Sequence, residues 1–416
     1  MKIAVLVHSL DGIGGIVKHL LLQCRELVEM GHEIDIWAVE YDPERCYPDL
    51  MRGFTVHALR KPQPVSTQIY QVAPGLRMLV YLRELWRTYW EQRRLVAAMP
   101  AGYDVVNPHG AGVTWAAAAY QRRHGTPSVW MCYDFWPMAR GTAEGEGGLK
   151  GLLKQAVVAP LDRYDRYATR AMDRIAVLSD GVQAQMRDYY GVETVVLRTG
   201  IDTAHYAQGD DPAAGRALRQ RHGVADDTFL LLTVAMLMPR RRIEDVLAAV
   251  RGLVDEERDL RYLLVGRITH SPDYTAFVQH EIARLGLQDV VKLAGEVSEA
   301  DLVAAYQACD AFIWPADEGQ SWGMAALEAM AAGKPVLVSR ANGLAEVLED
   351  GRTAMLFDAR APETVAAALR HLLGDPALRQ QIAASGQQFV HDTFSWRRNA
   401  ETMLSLFTAA GARTGQ

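Results

Sequence analysis

The sequence predicts two α/β domains in tandem, each a doubly wound parallel sheet, facing one another across a cleft. Three observations predict it. The first 40 residues read as strand, glycine turn, helix and strand. Apolar runs of strand length then recur between helical stretches, as βαβ units require. Midway along the 416 residues the same alternation starts afresh, and ligands bind such sheets at the carboxyl ends of their strands.

The elements follow in order. Lys2–Val7 is a continuous apolar run, expected of a strand buried on both faces. Asp11–Gly15 is a turn, Ile16–Met30 has helical periodicity, and Gly31 is a C-terminal cap. Glu33–Val39 is the next strand. Tyr103–Asn107, Pro127–Met131, Arg174–Leu178 and Thr194–Leu197 continue the first series. The polar stretch Ala207–Gly215 reads as a linker or its flank. The second series holds strands at Thr228–Leu237, Leu260–Gly266, Val290–Leu293, Ala311–Trp314 and Val336–Ser339, with a helix at Glu244–Leu253. Phe394–Leu406 is an amphipathic helix, and the last ten residues are expected to fray.

Composition bounds the function. The chain is 49% hydrophobic and 23% charged, an ordinary globular balance, and its net charge of −6 argues against a nucleic-acid binder. Cys24, Cys46, Cys132 and Cys309 form no C-x-x-C pair or zinc spacing, which fits a reduced, cytoplasmic setting. The apolar start Met1–Val7 is too short for a signal peptide. The most apolar interior run, Phe229–Met238, is about half the length that spans a bilayer.

The segment Trp314–Val336 carries the most chemistry. A buried strand ends at Trp314, a polar loop follows, and a helix is expected from Ser321, a good N-cap, to Gly333. Backbone N–H groups of Trp322, Gly323 and Met324 at the helix tip would hold phosphate, with Gly323 permitting close approach. Trp322 itself reads as packing for the loop. Glu328 would stand about 8–10 Å further along, where a carboxylate accepts both hydroxyls of a ribose. Phosphate at the tip and ribose along the side is a nucleoside-diphosphate geometry.

This segment resembles the E-x7-E signature of retaining glycosyltransferases of the two-domain GT-B fold, family 4 in particular. Other segments resemble the family in order: Gly14-Gly15 the N-terminal glycine turn, Gly31-His32 the pair before the second strand, Thr199–Asp202 the end of the first domain, Ala294–Val297 a loop near the nucleotide base, and Glu346, Asp350 and Gly351 a later motif. The resemblance implies a first domain of residues 1–202 that binds acceptor, with a C-terminal helix at 394–416 packing back on it, and a nucleotide-sugar domain at 203–393. It implies donor contacts from Gly14, Gly15, Gly266, Val297, Ser321, Trp322, Gly323, Met324 and Glu328. It implies transfer of a hexosyl group from a nucleotide-sugar co-substrate to a glycan, lipid-linked or small-molecule acceptor, with retained configuration.

The chain departs from the family at three places. The first Glu of the signature is Gln320, which keeps hydrogen bonding to a sugar but not charge; Asp317 and Glu318 stand nearby. The diphosphate-binding Arg and Lys of the family fall on Met236 and Arg241, with Arg240 and Arg242 adding charge. The family histidine near the reaction centre falls on Tyr133, followed by Asp134, while His109 matches a different strand-end histidine. Arg241, Gln320, His109, Tyr133 and Asp134 are therefore the catalytic candidates. There is no D-x-D pair, so chemistry without a metal or other cofactor is expected.

The helix expected at 76–99 carries Arg77, Arg83, Arg87, Arg93 and Arg94 beside Trp86, Tyr89 and Trp90, a pattern that suits either an ordinary helix or peripheral contact with the inner face of a membrane. Other functional readings are a non-catalytic nucleotide-sugar binder, a nucleotide-sugar epimerase of the same fold, and a dinucleotide oxidoreductase. The last is weakened by Val17, where the third glycine of G-x-G-x-x-G belongs.

Overall fold

The computed structural model describes residues 1–12, 14–62, 77–135, 149–207, 212–317 and 322–414. The chain divides into two compact units: Met1–Gly200 with Trp396–Gln416, and Ile201–Ser395.

The first unit contains β1 (Lys2–Leu10), α1 (Gly15–Glu29), β2 (Glu33–Tyr41), β3 (Thr55–Arg60), α2 (Arg77–Ala98), β4 (Val105–His109), α3 (Thr114–His124), β5 (Val129–Cys132), α4 (Leu149–Arg170), β6 (Arg174–Val177), α5 (Asp180–Tyr190), β7 (Val195–Val196) and a C-terminal helix, Trp396–Thr414. Its seven strands are all parallel, in the order β3-β2-β1-β4-β5-β6-β7. Helices on both faces follow from the sequence: Ile3–Val7 are all buried, so neither side of β1 meets water. Gly31 takes φ +88 just past α1, as its cap position requires, and the His32 N–H closes the helix on the Leu27 carbonyl at 3.1 Å.

The C-terminal helix belongs to this unit and packs on α1. Gln23 Nε2 donates to Asn399 Oδ1 at 2.6 Å, and the His19 and Trp396 rings meet edge to face at 5.0 Å. Gly200 lies so close to Trp396 that a Cβ there would sit 2.5 Å from its backbone nitrogen. Instead of fraying over ten residues, the helix runs to Thr414, because Phe407 and Ala410 are fully buried on its inner face.

The second unit contains α6 (Thr203–Ala207), α7 (Pro212–Arg221), β8 (Phe229–Val234), α8 (Ile243–Asp255), β9 (Leu260–Val265), α9 (Pro272–Arg284), β10 (Val291–Gly295), α10 (Glu299–Ala308), β11 (Ala311–Trp314), α11 (Met324–Ala331), β12 (Val336–Ser339), β13 (Met355–Phe357), α12 (Pro362–Gly374) and α13 (Pro376–Thr393). Its six strands are parallel, in the order β10-β9-β8-β11-β12-β13. Ala207–Gly215, expected as a linker or its flank, falls inside this unit. Gly215 sits in α7, where a Cβ would meet the Ala308 backbone at 3.3 Å, so the stretch is partly a packed helix.

Candidate functional site

Each sheet reverses its strand order once, and the loops at that switch point open at the carboxyl edge of the sheet. In the second unit the reversal falls between β8 and β11. Thr233 Oγ1 joins the two strands there, donating to the Ile313 carbonyl at 2.8 Å.

After β8 the chain makes a single tight turn at Pro239–Arg241. Arg241 is buried, and its guanidinium lies 4.4 Å from the centroid of the Trp314 indole at the end of β11. Stacking on an aromatic face orients a guanidinium while leaving its charge intact. The Arg240 carbonyl accepts the Asp317 N–H at 3.0 Å and so ties the two switch-point loops together. Arg242 is engaged by acidic residues of the next helix. In left-handed conformation (φ 49) it precedes α8, and its guanidinium reaches Asp245 at 2.7 Å and Glu244 at 2.8 Å.

Two groups that sequence reasoning passed over join this cationic edge. Arg267 directly follows Gly266 and pairs with Glu296 at 2.8 Å. The His270 pKa is lowered by burial, then by Arg267 and Arg240, so the imidazole is neutral beside two arginines. Both are readable in hindsight from their place after the apolar run of β9. Gly266 is dictated by the backbone: at φ +131, a Cβ would come within 2.2 Å of the Ala235 carbonyl oxygen. Val297 lies two residues beyond β10, half-buried.

The helix after β11 begins later than expected. It starts at Met324, with Gly323 as N-cap in left-handed conformation (φ 81, ψ 53). A Cβ on Gly323 would lie 2.9 Å from Trp314 Nε1 and 3.3 Å from Asn342 Oδ1, so the tip fits against those side chains only as glycine. Trp322 is buried with its ring against Phe394 at 6.1 Å, a packing residue. Gln320 and Ser321 lie outside the described residues, as does Glu318. The charge of Asp317 is matched by Arg360, which reaches it through two nitrogens at 2.5 and 3.2 Å.

Glu328, the fifth residue of α11, is only 5% exposed. Tyr306 of α10 donates its hydroxyl to Glu328 Oε2 at 2.7 Å, and Tyr206 of α6 also hydrogen-bonds the carboxylate. Burial and then the Glu328 charge hold both phenols well above their ordinary pKa, so both remain donors. No local signal could have paired these residues; only packing of α6, α10 and α11 brings them together.

In the first unit the reversal falls between β1 and β4. Gly14 caps α1 with extended backbone (φ −174), its N–H 3.2 Å from the Tyr47 hydroxyl, and Gly15 begins the helix exposed. A Cβ on Gly14 would meet nothing within 4 Å, so neither backbone conformation nor packing demands glycine there.

His109 ends β4, buried, with both ring nitrogens engaged. Nε2 lies 2.7 Å from Asn107 Oδ1 and Nδ1 2.7 Å from the Tyr133 hydroxyl. Asn107 Nδ2 donates to the Val129 carbonyl at 2.6 Å, which leaves Oδ1 as the acceptor. Nε2 of His109 therefore carries the proton, and Nδ1 accepts from Tyr133. Burial pushes the His109 pKa down to about 3 and the Tyr133 pKa well up, so both are neutral. His19 meets the Tyr133 ring edge to face at 4.9 Å, and its pKa is likewise lowered by burial and then by His109. Asp134 is half-buried beyond β5, and its carbonyl accepts the Cys132 thiol at 3.4 Å. Among the described residues, no group of three or more His, Cys, Asp and Glu side chains could hold a metal ion. Nor is any described helix long and apolar enough to cross a membrane.

Comparison with known proteins places these features in a family. Residues 13–205 match the profile described as Glycosyltransferase Family 4, and residues 216–389 match Glycosyl transferases group 1. A D-inositol 3-phosphate glycosyltransferase of Streptomyces avermitilis is 29% identical over 325 residues, covering 75% of this chain and 66% of that protein, just under two thirds of its length. The protein so named from Corynebacterium glutamicum is 24% identical over 95% of this chain and 92% of its own. The crystal structure of HepE from Anabaena in complex with UDP and glucose superposes with a TM-score of 0.72, at 20% identity, over 98% of this chain and 99% of its own.

Proposed function

Because the chain belongs to glycosyltransferase family 4, with the GT-B fold, we propose that it transfers a hexosyl group from a nucleotide-sugar to an acceptor hydroxyl, with retention and without a metal. One observation carries this reading: at the switch point of the second unit, the buried Arg241 is stacked on Trp314, the strand end that leads to the glycine-capped helix holding Glu328. A fixed cation beside a helix N-terminus suits a leaving diphosphate, whose negative charge grows as the sugar departs.

In this reading Arg241 is the principal diphosphate contact, helped by Arg240, with Gly323 and Met324 lining the approach. Arg242 acts indirectly, by fixing the start of α8. Glu328 binds the ribose, oriented by Tyr306 and Tyr206, while Gly266 and Val297 border the base. Gln320 and Ser321 contact the sugar. Gly14 and Gly15 supply a backbone that comes close to the ligand, which accounts for a glycine that the fold itself does not require. His109 and Tyr133 act as a neutral positioning pair, with Asp134 beside them. The acceptor oxygen bonds to the anomeric carbon as the bond to the diphosphate breaks on the same face, and the acceptor proton passes to a phosphate oxygen. No protein nucleophile is needed.

The first donors to test are UDP-sugars, the nucleotide held by HepE, followed by GDP-sugars. Inositol phosphates head the acceptors because the relatives are named for one. Expected are a thermal shift with the matching nucleoside diphosphate and nucleotide release that depends on acceptor. Binding without acceptor-dependent release from any donor would make the chain a binder. An inverted product, or activity abolished by chelator, would remove the corresponding part of the proposal.

A further inference from the structure

We propose that the outer face of α2, with the adjoining part of α4, docks the protein on an anionic lipid surface. The proposal is testable without any donor.

The face is built of aromatic side chains exposed where burial is the rule. Trp86 is 63% exposed, Trp90 46% and Tyr167 of α4 48%. They sit on one continuous aromatic cluster. Trp86 contacts Trp90 at 5.8 Å and Tyr89 at 6.0 Å; Tyr89 contacts Tyr164 at 6.0 Å, and Tyr164 stacks on Tyr167 at 6.1 Å. Beneath them Tyr164 rests on the buried Trp115 at 5.2 Å. The cluster is thus anchored in the core and presents its outer rings rigidly, so lipid contact costs little ordering of side chains.

Positive charge predominates around it. Arg83, Arg87, Arg93 and Arg94 are exposed on α2, whereas Glu91 is buried and Glu84 is engaged by Arg83 and Arg87. Arg93 lies 5.9 Å from the Tyr89 ring, and Arg122 and Arg93 both act on Tyr164. Leu85, Leu95, Val96 and Met99 fasten the opposite side of the helix to the core. An amphipathic helix with aromatic rings and arginines outward has the composition of an interfacial helix, and arginine ringing tryptophan matches lipid phosphate at the level of the headgroups. In a chain of net charge −6, that local excess marks an anionic partner.

The test is co-sedimentation with vesicles of phosphatidylcholine alone and of phosphatidylcholine mixed with phosphatidylglycerol. Binding to the mixed vesicles is expected, weakened by raising salt from about 0.1 M to about 1 M. Arg93→Glu with Arg94→Glu is expected to lower vesicle affinity about tenfold or more, and Trp86→Ala with Trp90→Ala by about tenfold. Both pairs are exposed, so unchanged melting of each variant checks that the fold is intact. Indole fluorescence quenched by brominated lipid in wild type, and lost in the tryptophan variant, would place these rings at the bilayer. The proposal fails if the protein ignores anionic vesicles, binds both vesicle types alike, keeps full binding in both variants, or forms a dimer that the tryptophan variant dissociates.

Discussion

The neutral histidine at the end of β4 makes acid a quantitative probe of the first unit. His109 has a pKa pushed down to about 3 from an ordinary 6.5, because burial penalises the charged ring, which Asn107 and Tyr133 hydrogen-bond through both nitrogens. In the unfolded chain the ring takes a proton as pH falls through 6.5, whereas in the folded chain it does not until about 3. Its contribution to stability is therefore complete above the unfolded pKa and lost as pH falls across that window. Between about pH 7.5 and 4.5 the loss integrates to about 2–3 kcal/mol. His109→Gln isolates the term, since an amide can still donate to Asn107 and accept from Tyr133 but does not titrate. Urea unfolding of both proteins at a series of pH values should show wild type losing about 2–3 kcal/mol relative to the variant over that range. Buried His19 shifts in the same direction but is present in both proteins, so it largely cancels. Parallel curves would refute the reasoning, because the ring would then be charged in the folded chain or already neutral in the unfolded one.

Further outcomes follow from the second unit. Arg241→Ala should lower kcat more than it raises the donor KM, by about 100-fold in kcat, with Arg241→Lys recovering part; a raised KM with kcat unchanged would make Arg241 a contact made equally in ground and transition state. Glu328→Ala should abolish the thermal shift given by nucleoside diphosphates, and it should itself destabilise by about 1–3 kcal/mol because two buried phenols lose their acceptor. Tyr306→Phe, which removes one hydrogen bond to the Glu328 carboxylate, should weaken nucleoside diphosphate binding by several-fold without touching kcat; calorimetric titration checks it. Gly266→Ala should cost more than about 2 kcal/mol in unfolding measurements, since its Cβ would overlap the Ala235 carbonyl, and a neutral result would mean that the β8 and β9 loops part easily.

What could be read in the sequence, and what could not, divides along a physical line. Buried parallel strands announce themselves as apolar runs: β11 and β12 begin and end at the residues expected, and β1, β2 and β9 differ by a few residues at their ends. The two strands missed, β3 and β13, are both sheet edges. Thr-Val-His-Ala-Leu-Arg of β3 has no buried residue, and β13 is three residues long, so neither has the apolar run that marks a central strand. At the site, the local features were legible: a glycine before a helix, a helix-capping Gly333 and an arginine after a strand. Contacts set by long-range packing were not. α11 starts at Met324 rather than Ser321, and at its cap Trp314 and Asn342 close on the backbone of Gly323. Tyr206 and Tyr306 lie 122 and 22 residues before Glu328, and nothing in their own surroundings marks them as its partners.

The two switch points have the same topology and different electrostatics, and that contrast bears on the chemistry. The first unit fills its reversal with a hydrogen-bonded series of neutral groups, from Tyr133 through His109 and Asn107 to the Val129 carbonyl. The second lines its reversal with Arg240, Arg241 and Arg267 and keeps His270 neutral among them. Burial explains the first: a ring buried at the end of a central parallel strand can stay only if uncharged and fully bonded. Stacking on Trp314 explains how the second retains charge at low exposure, since a guanidinium keeps its proton where an imidazole or an amine would lose it. A transferase needs that asymmetry. The leaving diphosphate requires fixed positive charge, whereas the incoming hydroxyl is neutral and is best positioned by groups that neither attract phosphate nor titrate near neutral pH. On the proposed assignment of acceptor and donor sides, exchanging the two characters, by placing a cation at His109 or removing one at Arg241, should therefore harm transfer for opposite reasons: the first by drawing anions to the acceptor side, the second by leaving the diphosphate unbalanced.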